Sequence, residues 1–368
     1  MSAAVRFVSA ALAQGAVTKE QRRTVVSSRN WEAIAAFASL HLLAPALHPA
    51  LSEKQLAGEL PADFAGFLEA IYELNADRNR ELLRETARIA ALLGERGIEP
   101  PVVLKGTAYL ITGVITHTGA RYIADLDLLL RPKDAEEAVR ILLRSGMRCP
   151  NPEGAPPDEY PLDGSMYHYP RLCRPDCRFG VEVHRRLPER YPVLCGDDIL
   201  RGSTTSSVDG VPVRVPSPEH LALHHILHTQ TEVDPRNRIL PPLRNVHDMV
   251  LIAARFLEQL DWDRISGQFR RAGQEQMLGM YLAIGSCFFA MPLPPSVRPA
   301  IGDRLRARHA AALYALGRGR VADPLYVVEY FGRWLGLAAS LAASPAGRSK
   351  LRKNICDRQR YAGILRGL

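Results

Sequence analysis

Two carboxylates separated by one leucine, Asp125-Leu126-Asp127, interrupt the apolar run 124–130. Alternate residues of a strand share a face, so both acids point one way, about 7 Å apart, while Leu126, Leu128 and Leu130 face a core. Two negative charges in so apolar a setting need a counter-charge. A divalent cation supplies one, and hard carboxylate oxygens on a rigid strand suit Mg²⁺ carrying the phosphates of a nucleotide. Two solvent-exposed strand-edge aspartates would read identically, so the pair has to be weighed with its company. A third carboxylate, Glu182, lies in Val181-Glu182-Val183-His184, where the Glu and His share a face. Lys105-Gly106-Thr107 lies where a strand gives way to a helix. Gly there permits close backbone approach, and the first helical amides and the Thr hydroxyl can meet a phosphate oxygen. Lys105 and Arg121 are candidates to neutralise phosphate oxygens, although a strand-end lysine reads equally as a solvated charge. His184 reads as a phosphate donor, an orienter of an acid, or a structural histidine.

The elements that would position these groups follow from hydrophobic period. Residues 28–96 read as helical, with Trp31, Ile34, Ala35 and Phe37 at three-to-four spacing and a long amphipathic run at 77–94 ending in Gly94. The period then changes. Residues 100–104 read as a buried strand, 107–115 as a helix, 124–130 as a second strand, and 134–145 as a helix closed by Gly146. The proline-rich stretch 149–170 reads as a loop that could lie over a site. Further strands are expected at 179–187 and 211–215. From Pro218 the pattern is helical again, at 220–229, 241–258, 262–272, 276–289 and 303–316, with two terminal helices beyond. The order predicts an α+β fold: an N-terminal helical segment (1–99), a core with a small mixed sheet (100–216) and a C-terminal helical domain (217–368).

With 368 residues, 47% apolar and 23% charged, the chain can bury a substantial core and is unlike a disordered one. The apolar stretch near the N-terminus is too short for a secretory signal, and the run 324–343 carries Glu329 and Arg333 at its middle. The expectation is a cytoplasmic protein without a membrane span. Six scattered cysteines, of which only Cys173 and Cys177 are close, read as free thiols rather than a zinc site. The net charge of +8 fits a polyanionic ligand, and part of the excess lies in the tail 348–366, a solvated helix or a nucleic-acid contact. His224, His225 and His228 lack the Glu of the zinc-protease pattern and read as core or interface histidines. Arg244 and Asp248, one helical turn apart, read as a local ion pair.

Taken together, these stretches resemble the nucleotidyltransferases of the DNA polymerase β superfamily, and most of all a branch known only as uncharacterised nucleotidyltransferases. The matching residues are Val103-Leu104-Lys105-Gly106, Arg121 ahead of Asp125-Leu126-Asp127-Leu128-Leu129, and Val181-Glu182-Val183-His184-Arg185-Arg186-Leu187. Asn79-Arg80 to Gly97-Ile98, Val215-Pro216-Ser217-Pro218-Glu219-His220 and 244–251 resemble the flanking helices. The resemblance implies metal-dependent transfer of a nucleoside monophosphate from a nucleoside triphosphate, with ATP the expected one, on a small mixed-sheet nucleotidyltransferase core. Asp125, Asp127 and Glu182 would hold two Mg²⁺, and Lys105, Gly106, Thr107, Arg121 and His184 would attend the nucleotide. The interval from Gly106 to Asp125 is longer than in the wider superfamily, and Thr107 replaces a Ser. The acceptor is left open: a small peptide such as a lasso peptide, or a small molecule, ahead of RNA or protein. Two other readings remain, a nucleotide-binding regulator without turnover and a helical nucleic-acid-binding protein. The enzyme reading requires that Glu182 lie on the aspartates' side of the sheet and that no lysine or arginine permanently plug the pair.

Overall fold

The computed structural model describes residues 2–149, 167–175, 177–188, 193–231, 240–293, 297 and 299–316. Most of the proline-rich stretch, the two terminal helices and the basic tail lie outside the described residues. The chain divides into a unit formed by Ala3–Arg308 and a second formed by Met1–Ser2 with His309–Leu368. The first unit is α+β: its helices accompany one six-stranded mixed sheet.

The N-terminal helices are α1 (Ala3–Leu12), α2 (Lys19–Val26), α3 (Trp31–Leu40) and α4 (Ala44–Glu53). Sequence periodicity alone passes over α1 because it is apolar nearly all round. Phe7 and Ala11 are fully buried, and the helix packs on its three successors and on a C-terminal helix. Helix α2 opens on a capping box in which Thr18 and Gln21 satisfy each other's backbone amides. Helices α3 and α4 meet at a bend of 117°, and among the described residues no single helix is long and apolar enough to cross a membrane. Helix α5 (Ala62–Gly94) runs for 33 residues without an internal proline. It ends where Gly97 takes φ +75 and Ile98 donates back to Leu93 O, a left-handed stop that L-residues other than Gly resist.

The sheet order is β3 (Leu172–Cys173), β4 (Gly180–His184), β2 (Asp125–Leu129), β1 (Val102–Val103), β6 (Val211–Val215), β5 (Thr204–Val208). Strands β2 and β4 are parallel, as are β1 and β6; the other pairs are antiparallel. Helix α7 (Pro132–Arg144) carries the chain out of β2, starting on Pro132, whose missing amide is harmless there, and ending at Gly146 with φ +94. Strand β5 was not expected: Thr204-Thr205-Ser206-Ser207 has no apolar alternation because it is a largely exposed edge. Its hairpin to β6 turns on Asp209-Gly210, both at positive φ, a legible Asp-Gly signal. The expected strand 179–187 contracts to β4. The helical half contains α9 (Pro218–Thr231), α10 (Leu243–Arg255), α11 (Trp262–Arg271) and α12 (Glu275–Phe289), close to the predicted spans. Cys149, Cys173, Cys177, Cys195 and Cys287 are all free thiols.

Candidate active site

The parallel pairing of β2 with β4 brings the acids together. Its register sets Asp127 beside Glu182, Asp125 beside Gly180 and Leu129 beside His184. Paired residues of adjacent strands point to the same face, so Glu182 lies on the aspartates' side. Ligand atoms of Asp127, Glu182 and His184 fall within 4.8 Å of one another, a geometry able to hold a cation. Asp125, expected as a ligand, stands outside that cluster. It lies instead in the wall of a cleft of about 360 Å³, together with Lys105, Gly106, Arg121, Glu182 and Arg244.

Asp127 is 1% exposed. One oxygen, Oδ1, accepts from Lys105 Nζ at 2.6 Å and from His184 Nε2 at 2.8 Å. The other, Oδ2, is buried without a hydrogen-bond partner, as are His184 Nδ1 and Thr107 Oγ1. Orphaned buried polar atoms are costly, and a bare carboxylate oxygen on Asp127, in a cluster with a second acid and a histidine, is a donor set a hard cation takes. The residues therefore fit a divalent metal. Lys105 occupies only one oxygen of Asp127. Among the described residues no lysine or arginine forms an ion pair with Asp125 or Glu182, whereas Asp127 carries the Lys105 ammonium on Oδ1.

Electrostatics sort the three carboxyls. Burial pushes Asp127 up, but the Lys105 ammonium and the His184 hydrogen bond outweigh it and hold Asp127 below the usual carboxylate range. Burial raises Asp125 and Glu182, and the charge on Asp127 raises both further. Burial lowers His184 despite its bond to Asp127. Two carboxyls kept reluctant to ionise beside a third that is firmly ionised are a site short of positive charge.

Lys105 reaches Asp127 because of an unusual backbone. Strand β1 ends at Val103, Leu104 donates its amide to Asp127 O at 2.9 Å, and Lys105 opens α6 (Lys105–Ile111) at φ +51. A left-handed non-glycine residue stores roughly 1–3 kcal/mol of strain, a cost typical of functional positions. At Gly106 a Cβ would collide with the Arg121 guanidinium, so glycine is required by close approach. Thr107, by contrast, is 1% exposed and lies outside the cleft wall.

Arg121 is placed by a partner that the local pattern conceals. Its Nε donates to both oxygens of Asp248, at 3.1 and 2.9 Å. The expected Arg244–Asp248 pair is thus corrected: Asp248 serves Arg121, and Arg244 turns to Asn245 Oδ1 (3.3 Å) and Tyr122 O (3.5 Å). Arg244 enters the cleft wall, and burial together with the charge on Arg121 lowers it to about 10, so it stays cationic at neutral pH. Sequence reasoning passed it over because its i,i+4 acid offered a ready local explanation. Three polar residues of α5 hold the segment leading into β2: Asn75 donates to Gly119 O, Asn79 to Thr118 O and Arg121 O, and Arg78 to Ile123 O. Asn79 is fully buried, and a buried asparagine in a helix was the available signal. His225 is bound by Tyr109 Oη (2.7 Å), Asn245 O (2.7 Å) and Tyr281 Oη (3.0 Å), and both it and His228 line the cleft.

A small mixed sheet gathers acids from two parallel strands beside a cleft that Lys105, Arg121 and Arg244 also line, an arrangement able to meet a metal-bound phosphate group. More particularly, the chain belongs to the family described as uncharacterised nucleotidyltransferase, which matches residues 27–290. That membership supports nucleotidyl transfer as the general activity. Neither a curated protein nor a solved structure matches the chain.

Proposed function

We propose that the protein transfers a nucleoside monophosphate from a nucleoside triphosphate, ATP in the first instance, to a hydroxyl or phosphate acceptor in a Mg²⁺-dependent reaction. The observation that carries this reading is the bare Oδ2 of Asp127, buried in a cluster with Glu182, which itself lines a cleft shared with Asp125, Lys105, Arg121 and Arg244. Asp127 and Glu182, with Asp125 at the cleft wall, would hold the metal, and His184 would keep Asp127 oriented or join the ligands. Bound there, Mg²⁺ would neutralise charge on the triphosphate and activate the acceptor oxygen. The chain's own cations do the rest: Arg121 and Arg244 bind and orient phosphate oxygens, and Lys105 on Asp127 is within reach of a phosphate entering over Gly106. The cleft volume, about 360 Å³, suits a nucleotide and leaves the acceptor to approach from the open side. A small peptide or small molecule is the acceptor favoured here.

The Lys105–Asp127 bridge favours one competing reading, a nucleotide-binding regulator without turnover. Incubating the protein with labelled nucleoside triphosphates, Mg²⁺ and a panel of hydroxylated peptides and small molecules separates the two. Pyrophosphate release should fall by more than about a hundredfold in Asp127→Asn. Equal release by the variant refutes the enzyme reading, and tight nucleotide binding with no release against any acceptor supports the regulator.

A further inference from the structure

Away from the acidic cleft, residues 12–17, helix α4 with the residues after it, and the segment 114–120 enclose a cavity of about 480 Å³. That is the size of a small-molecule site. Its apolar lining includes Ala46, Ala50, Val114, Ile115 and Leu251. Polar side chains line it too, Glu53, His117, Lys54 and His247 among them, and the last two bear on a ligand. Lys54 places its ammonium on Ala11 O (2.7 Å) and Ala13 O (2.6 Å), and no carboxylate is paired with it. An ammonium has three donors, so one remains for a ligand. The neighbouring acid, Glu53, faces solvent and is engaged by His117 at 2.7 Å. Burial lowers the Lys54 pKa, a sign of a cation short of compensation.

The second polar group is His247, 7% exposed, whose ring packs edge-on against Phe289 (5.2 Å) and makes no hydrogen bond among the described residues. Burial pushes it down to about 4, so it is a neutral donor and acceptor at the cavity wall. A half-buried cation without its anion is costly unless something binds it, and the His247 ring beside it can exchange a hydrogen bond with what enters. We infer that this cavity is a second binding site, for a small organic acid whose carboxylate meets Lys54 and whose apolar body fills the space between α4 and Ile115. The site is separate from the transfer centre. A pocket of about 20 Å³, room for about one water, shares His247 and Leu251 with this cavity and Arg121 and Arg244 with the acidic cleft. A ligand here touches none of Asp125, Asp127 or Glu182.

The test uses the full chain and titration calorimetry with octanoate and its uncharged isostere octanamide. Octanoate should bind saturably, and octanamide should bind about ten- to a hundredfold more weakly, the difference expected when a charge-assisted hydrogen bond is lost. Lys54→Met should weaken octanoate by a similar factor. Because Lys54 also ties down the end of α1, Ala50→Phe, which fills the cavity without touching a charge, provides the second variant and should abolish binding. Absence of saturable octanoate binding, equal affinity for octanamide, or undiminished binding by Ala50→Phe would each overturn the assignment. None of these outcomes depends on nucleotide turnover.

Discussion

The Arg121–Asp248 pair offers the sharpest test of how the cleft is built. The side chains are 12% and 1% exposed, and one guanidinium nitrogen serves both carboxylate oxygens. Replacing Asp248 by Asn keeps the shape but removes the charge. It leaves Arg121 buried beside a second cation, Arg244, which burial first and the charge on Arg121 second already lower to about 10. Breaking a buried pair on one side costs about 3–5 kcal/mol, because the surviving charge keeps its desolvation penalty and loses its partner. Against a total stability of about 5–15 kcal/mol that is a large share. Urea denaturation of the wild type and Asp248→Asn should therefore show a midpoint lowered with little change in slope. The double variant Asp248→Asn/Arg121→Met removes both charges and should regain a substantial part of the loss, giving a coupling energy of about 1 kcal/mol or more. Nucleotide affinity should fall in both variants, because the guanidinium over Gly106 is either unanchored or missing. A single-variant cost below about 1 kcal/mol would refute the claim that this pair holds the cleft wall.

Gly106→Val should lower nucleotide affinity by at least about tenfold, since its side chain must displace Arg121 from a pinned position; unchanged affinity in a binding titration would contradict the close approach. Mg²⁺ or Mn²⁺ at about 100 times its dissociation constant should stabilise the protein by about 2.7 kcal/mol, read as a shift in thermal unfolding, and Glu182→Gln should remove that shift. His225 and His247, both held to about 4 by burial, are neutral in the fold at pH 7. Unfolded imidazoles titrate near ~6.5, so between pH ~6.5 and ~4 the unfolded chain takes up protons that the folded chain refuses. Stability should fall as the pH drops through that window, by roughly 3 kcal/mol for each histidine, and this contribution should level off below about 4. A flat stability profile between pH 7 and 5 by chemical denaturation would count against both burials.

Much of this protein is legible before any coordinates exist. A strand's period of two puts Asp125 and Asp127 on one face whatever the strand packs against. Gly146 closes a helix as its position predicts, because only a residue without a Cβ takes left-handed angles freely. The alternation of period between helix and strand gave the helical flanks and the α+β class. Tertiary structure alone decided what crosses long stretches of chain. The β2–β4 register, which selects Asp127, Glu182 and His184 as the cluster and leaves Asp125 at the cleft wall, depends on pairing between distant strands, and a slip of one residue would have sent Glu182 to the opposite face. Asp248 reaches Arg121 across 127 positions, while the local i,i+4 pattern offered Arg244 as a partner. Local spacing constrains only neighbours a turn or a pleat away. Which distant charge relieves a buried one is settled by packing, where the penalty for leaving it unpaired is highest.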